Sequence, residues 1–163
     1  MKLLKKILLP ALAAVTAAAC VALAACGETN PDANLTEDQY VVYVYLDDGE
    51  TPVKGVVFNL CYNTNSTQST CSINSYTTDS DGRVLFDMTE ITYVDSPVIH
   101  IKTTTDTDAE PDENGDYPVV YQGIPDGYGL PANASKQTLN GNASYDDAWT
   151  LTEQVTTLVL TKS

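Results

Sequence analysis

An acidic stretch in the middle of the chain places oxygen-bearing side chains at every second position. The six residues are Asp106, Asp108, Glu110, Asp112, Asn114 and Asp116. Carboxylate and amide oxygens at this spacing could wrap around a calcium ion. The pattern departs from an EF-hand loop, because Pro111 interrupts it and Gly115 lies at the wrong offset. A solvated acidic loop explains the same residues and is the favoured interpretation, with calcium as the alternative.

Aromatic residues in the C-terminal third of the chain could form a ligand-binding surface. The candidates are Tyr121, Tyr128, Tyr145 and Trp149. Aromatic faces can stack on the apolar faces of sugar rings, and loop-rich segments often carry binding residues. The alternative is that tyrosine packs well in β-sheets while its hydroxyl stays in water.

The sequence contains no recognisable catalytic constellation. It has neither a Gly-x-Ser-x-Gly elbow nor a His-Glu-x-x-His helix motif. Its single histidine, His100, lies within an alternating apolar segment, where a structural role is more common than a catalytic one. We therefore predict no catalytic residues, no enzyme activity, and no cofactor apart from the calcium alternative.

The first 26 residues have the order of a secretory signal. Residues 1–6 include three lysines, an apolar run starts at Ile7, and small residues end that run. The segment Leu23-Ala24-Ala25-Cys26 resembles a bacterial lipobox, in which the cysteine thiol is diacylated and the chain is cut before it. The resemblance implies a lipoprotein signal peptide over residues 1–25 and a lipid on Cys26. An uncleaved anchor over residues 7–25 is the alternative, which Pro10 and the alanine-rich composition disfavour.

Two cysteines remain beyond this N-terminal segment, namely Cys61 and Cys71. In an exported protein, such a pair most often forms a disulfide. A zinc site is disfavoured because one histidine leaves too few nitrogen and sulfur ligands. We predict a Cys61–Cys71 disulfide and no metal centre built on these residues.

The charge of the chain excludes several classes of partner. It has 8 basic and 22 acidic residues, and removing residues 1–25 takes away three lysines and no acid. The remaining five basic residues leave a formal charge of −17. Such a field disfavours nucleic acids and other polyphosphates. The predicted partners are a membrane, reached through the lipid on Cys26, and a surface protein or glycan, on the extracellular or periplasmic side.

Beyond the signal, the sequence predicts a flexible acidic linker over residues 26–39 and one all-β domain over residues 40–163. The domain is rich in valine, threonine and tyrosine, and turn residues separate its short apolar runs. About seven strands are predicted, in a single antiparallel two-sheet sandwich. Residues 63–70 and 123–142 are predicted as loops. Val56, Phe58 and Leu60 are expected to face the core. Val84 and Phe86 are expected to share one face of their strand, and so are Leu158 and Leu160.

Three stretches in this domain carry a family resemblance. They are Gly49-x-x-Pro52-Val53-x-Gly55-Val56-x-Phe58-x-Leu60, Thr77-Thr78-Asp79-x-Asp81-Gly82-x-x-x-Phe86 and Pro125-Asp126-Gly127-Tyr128. In this order they resemble prealbumin-like sandwiches, namely the B-type repeats of Gram-positive adhesins and pilins and the carboxypeptidase regulatory-like domains. The resemblance covers about residues 40–130. It implies an Ig-like sandwich that serves as a surface binding or spacer module, usually without catalysis.

These features together predict a lipid-anchored cell-surface protein with a non-enzymatic binding, adhesion or structural role. A carbohydrate-binding module on the cell envelope is the first alternative, resting on the aromatic residues. A small hydrolase or an inhibitor is the weaker alternative.

Overall fold

The computed structural model describes residues 30–163, so the predicted signal peptide and Cys26 lie outside the described residues. One compact unit extends from Pro31 to Ser163. In this part of the chain the structure is all-β, as predicted, with a single 3-10 turn at Asn140–Asn142. The strands in chain order are β1 (Gln39–Tyr45), β2 (Val57–Asn65), β3 (Gln68–Cys71), β4 (Tyr76–Thr77), β5 (Arg83–Asp87), β6 (Val98–Ile101), β7 (Thr103–Thr105), β8 (Val119–Tyr121), β9 (Tyr128–Gly129), β10 (Ser135–Thr138), β11 (Ser144–Thr150), β12 (Val155–Val159) and β13 (Thr161–Lys162).

The described strands form two larger sheets and two small ribbons. The first sheet has three strands in the order β12-β1-β5. The second has the order β10-β11-β6-β2-β3, with β4 also paired to β2. The ribbons are β7 with β8 and β9 with β13. The chain therefore has more and shorter strands than the seven predicted.

One strand pair departs from the antiparallel arrangement that the sequence predicted. β1 and β12 are parallel, with Val41 opposite Val155 and Val44 opposite Leu158. Adjacent antiparallel strands usually follow from short hairpins, whereas these two strands are separated by most of the domain. No short connection fixes their relative direction, so alternation of side chains alone could not reveal it.

The two larger sheets share one hydrophobic core. Phe58 of β2 and Phe86 of β5 meet edge to face, with ring centroids 6.0 Å apart. Val56, Phe58 and Leu60, which were predicted to face inward, are all buried. The two pairs predicted to share a face, Val84 with Phe86 and Leu158 with Leu160, are buried as well, with exposed fractions of 5% or less. Because burying one such side chain stabilises by about 1.5–3 kcal/mol, this cluster supplies much of the driving force for folding.

Two segments predicted as loops contain strands. β3 overlaps the end of the predicted loop 63–70 and pairs with β2, so that Cys61 is directly opposite Cys71. β10 lies within residues 123–142 and pairs with β11. Both strands are polar and largely exposed, so they lack the apolar alternation on which strand prediction depends.

The compact unit also begins earlier than the predicted boundary at residue 40. Residues 31–38, predicted as part of a flexible linker, contact the domain instead. Asp38 accepts a hydrogen bond from the Tyr93 hydroxyl at 2.7 Å, and its carbonyl accepts one from the Met88 amide. Polar side chains hold this segment, which is why its composition resembles a linker.

Candidate functional site

A small hollow lies beside Tyr121 and Tyr128, two of the four predicted aromatic site residues. Tyr121 ends β8 and Tyr128 begins β9, and both rings also pack against the main core. The hollow has a volume of about 230 Å³ and is lined by Val119, Val120, Tyr121, Ile124, Pro125, Asp126, Gly127 and Tyr128. Drug-sized pockets run to roughly 300–1,000 Å³, so this one fits a single long side chain better than a large ligand.

Each of these two tyrosine hydroxyls donates a hydrogen bond to a carboxylate from a distant part of the chain. Tyr121 donates to Asp147 Oδ2 at 2.6 Å, and Tyr128 donates to Asp47 Oδ1 at 3.3 Å. Partial burial and the Asp147 carboxylate raise the pKa of Tyr121 to about 12. Loss of hydration and the charge of Asp47 likewise raise the pKa of Tyr128. Both phenols therefore stay neutral at pH 7 and act as hydrogen-bond donors.

Asp147 is held in an unusual backbone conformation. Its φ is +54°, and among the described residues it is the one non-glycine residue with a positive φ. The register between β10 and β11 shifts beside it, as in a β-bulge. A bulge re-aims a side chain, and residues held in this conformation cluster at functional sites. Aspartate tolerates a positive φ better than most residues do. Position 147 can therefore hold a carboxylate that accepts the hydrogen bond from Tyr121.

Tyr145 lies elsewhere, against the disulfide on the outer side of the six-stranded sheet. The Sγ atoms of Cys61 and Cys71 are 2.02 Å apart, which confirms the predicted pairing. Since a disulfide sulfur carries no hydrogen, the Tyr145 hydroxyl is the donor in its 2.8 Å contact with Cys71 Sγ. The Tyr145 ring also stacks on His100, with centroids 4.6 Å apart, and burial lowers the pKa of this histidine. Tyr145 and His100 therefore have a structural role in this cluster.

Replacing Cys61 and Cys71 together by alanine is expected to lower the free energy of unfolding by about 2–3 kcal/mol, because the disulfide restricts a ten-residue loop in the unfolded chain. Urea unfolding followed by circular dichroism measures the change. Thr70→Ala, on the exposed neighbouring position of β3, is the control and should change stability by less than about 0.5 kcal/mol. An unchanged unfolding midpoint in the double variant would contradict this prediction.

Trp149 is buried in the main core and does not join the other aromatic residues. Its side chain is 5% exposed, and its Nε1 donates to Asn133 Oδ1 at 3.0 Å. A shallow groove of about 340 Å³ runs beside it, lined mainly by amide and hydroxyl side chains together with Glu153. The four predicted aromatic residues are therefore divided among three places, and the structure brings only Tyr121 and Tyr128 together.

The acidic run is folded into local turns. Asp112 Oδ1 accepts hydrogen bonds from the amides of Asn114 at 2.8 Å and Asp116 at 2.9 Å. Asp106 Oδ1 accepts one from the Asp108 amide at 3.1 Å. Within residues 30–163, no group of three or more histidine, cysteine, aspartate or glutamate side chains is placed to hold a metal ion. Two carboxylates of the calcium hypothesis, those of Asp106 and Asp112, stabilise their own turns in this arrangement.

An ion pair that the sequence analysis missed joins the N-terminal segment to the first sheet. Asp32 Oδ1 accepts hydrogen bonds from Arg83 Nε at 3.0 Å and Nη2 at 2.8 Å, and Oδ2 accepts one from the Tyr43 hydroxyl at 2.6 Å. The Asp32 side chain is only 7% exposed and that of Arg83 19%. Burial and the neighbouring Asp32 raise the pKa of Tyr43 to about 12. The partners are 51 and 11 residues away, so sequence spacing gave no signal.

Comparison with known proteins found no matching protein-family model, no similar curated protein and no similar solved structure. Within residues 30–163, no helix has the length and apolar character needed to cross a membrane.

Proposed function

We propose that this chain is a lipid-anchored surface protein, whose β domain has a non-enzymatic binding, adhesion or structural role outside the membrane. The observation that carries the proposal is Leu23-Ala24-Ala25-Cys26 behind a basic and then apolar leader. Several acyl methylenes on one cysteine make a lasting tether, since each buried methylene adds about 0.8 kcal/mol of membrane affinity.

The domain architecture supports this proposal. We infer that the two larger sheets are the layers of a prealbumin-like sandwich. Their shared core and the Asp-Gly turn support this inference, since Gly82 has a φ of +69° and the turn returns the chain into β5. Asp79 Oδ1 closes the turn by accepting hydrogen bonds from the Asp81 and Arg83 amides. Such sandwiches serve as spacer and binding modules in the family that the sequence resembles.

The tether between lipid and domain is short on this proposal. Asp32, which is held by Arg83, lies only six residues after Cys26. Six extended residues span about 20 Å at most, so the domain would stay close to the membrane surface. The acidic surface would then keep neighbouring molecules apart and soluble.

The two alternatives have less geometric support. A sugar-stacking role for Trp149 requires an exposed ring face, whereas this ring is 5% exposed. A hydrolase built on His100 requires a partner that can be activated, whereas this ring stacks on Tyr145. We therefore retain the non-enzymatic surface role as the proposal.

Replacing Cys26 by serine tests the anchor directly. The full-length protein produced in a bacterial host is expected to enter the detergent phase of a detergent partition, whereas the Cys26→Ser protein should stay in the aqueous phase. Intact mass should show a mature chain that begins at Cys26 and carries acyl groups. Cys20→Ser is the matched control, because position 20 lies in the segment predicted to be removed. A wild-type protein that stays in the aqueous phase without acyl mass would overturn the proposal.

A further inference from the structure

The hollow beside Tyr121 and Tyr128 has apolar walls that nothing in the described domain covers. Val119 is 61% exposed and Val120 is 41% exposed, although both belong to a strand. Their strand, β8, pairs only with β7 in a two-stranded ribbon, so its other edge is open. Exposed aliphatic side chains that continue into a hollow are typical of an interaction site.

Three carboxylates line this hollow or contact its two tyrosines. Asp126 lines the hollow, and Asp47 and Asp147 are hydrogen-bonded to the hydroxyls of its two tyrosines. Within residues 30–163, the ion pairs are Arg83 with Asp32 and Lys136 with Asp146. None of the three carboxylates at the hollow is therefore neutralised by a lysine or arginine of the described domain.

We propose that this hollow binds a lysine or arginine side chain from a basic peptide segment of a partner protein. The methylene stem of such a side chain would pack on the valines and Ile124, while its charged end reaches the carboxylates. Tyrosine rings attract cations through their π faces, and the aspartates add direct charge complementarity. An anionic ligand is disfavoured by the same charges, and a neutral apolar ligand would leave them without a counter-charge.

The position of Asp147 strengthens the assignment. The β-bulge that gives this residue its positive φ also brings its carboxylate to the Tyr121 hydroxyl. That hydrogen bond fixes the Tyr121 ring at one wall of the hollow and holds the Asp147 carboxylate next to it. The formal charge of −17 beyond residue 25 would draw a basic segment towards the domain and make association sensitive to salt.

A peptide titration tests the assignment. The probe is a pentalysine peptide, added to the full mature chain in detergent micelles and followed by NMR chemical shifts. We expect saturable shifts centred on Tyr121, Ile124 and Tyr128, and weaker binding at high salt. Pentalysine acetylated on every side chain should bind at least about tenfold more weakly, because its charges are gone.

Matched variants separate this site from general attraction. Asp126→Asn with Asp147→Asn should weaken pentalysine binding by about fivefold to tenfold, and asparagine keeps the tolerance for a positive φ at position 147. Glu113→Gln removes an exposed charge in the acidic run and should weaken binding by less than about twofold. Equal weakening in both proteins, shifts spread over all acidic surfaces, or equal binding of the acetylated peptide would each overturn the proposal.

The inference specifies a ligand for the proposed binding role, and it rests on that role but not on the lipid anchor. Its test requires no membrane attachment, whereas the Cys26→Ser test requires no ligand. A failed titration would therefore leave the lipid anchor intact, and an aqueous wild-type protein would leave the hollow and its ligand intact.

Discussion

Replacing Gly123 by alanine is expected to destabilise the domain by roughly 2–5 kcal/mol. Gly123 has a φ of +84°, a conformation that costs an alanine about 1–2 kcal/mol. A Cβ there would also overlap the carbonyl of Gly55 and come within 2.6 Å of Val56 Cα. Overpacking against backbone adds about 1–3 kcal/mol, because backbone cannot rotate away as a side chain can. Thermal or urea unfolding of the purified protein measures the loss.

Gly115→Ala is the matched control for this prediction. Gly115 has nearly the same φ, +86°, but nothing lies within 4 Å of the position where its Cβ would be. It should therefore lose only the backbone contribution, about 1–2 kcal/mol. Equal losses in the two variants would show that the close approach of residue 123 to Gly55 is absent in solution.

The second large effect is expected from Asp32. Replacing Asp32 by alanine removes the partner of a largely buried guanidinium and of the Tyr43 hydroxyl. Breaking a buried ion pair by removing one member costs about 3–5 kcal/mol, and the 19% exposure of Arg83 places this case near the lower end. We expect a loss of about 3 kcal/mol in the free energy of unfolding, measured by urea titration.

A surface ion pair in the same domain provides the comparison. Lys136 and Asp146 lie 3.6 Å apart with side chains 64% and 78% exposed. Asp146→Ala should therefore change stability by less than about 1 kcal/mol. A double-mutant cycle on Asp32 and Arg83 isolates the pairwise energy. A coupling energy near zero would mean that Asp32 is not paired with Arg83 in solution.

The strands that could be predicted are those whose side chains alternate between core and surface. β2 and β12 belong to this group. The inward residues of β2 and the common face of Leu158 and Leu160 were predicted from period-two patterns. β3 and β10 were missed because polar edge strands take their conformation from a neighbour rather than from their own burial. The parallel pairing of β1 with β12 was also inaccessible, since direction is set by the path of the whole chain.

The candidate site was only half visible in the sequence. Tyr121 and Tyr128 were named as aromatic candidates, but their partners Asp147 and Asp47 are 26 and 81 residues away. Trp149 was grouped with them because it is near in sequence, whereas folding turns its ring into the core. Aspartates are so frequent in this chain that no spacing could single out the relevant ones.

Local chemistry in the sequence determined the all-β class, the Cys61–Cys71 disulfide and the inward faces of the long strands, because each depends on neighbours a few residues apart. The tertiary structure decided which polar residues meet, since contacts such as Asp32 with Arg83 bring together segments far apart in the chain. It also decided that Asp126 lies beside the exposed valines and that Asp147 and Asp47 are hydrogen-bonded to the neighbouring tyrosines. Charged and exposed side chains can form a binding site only where the fold brings them close together.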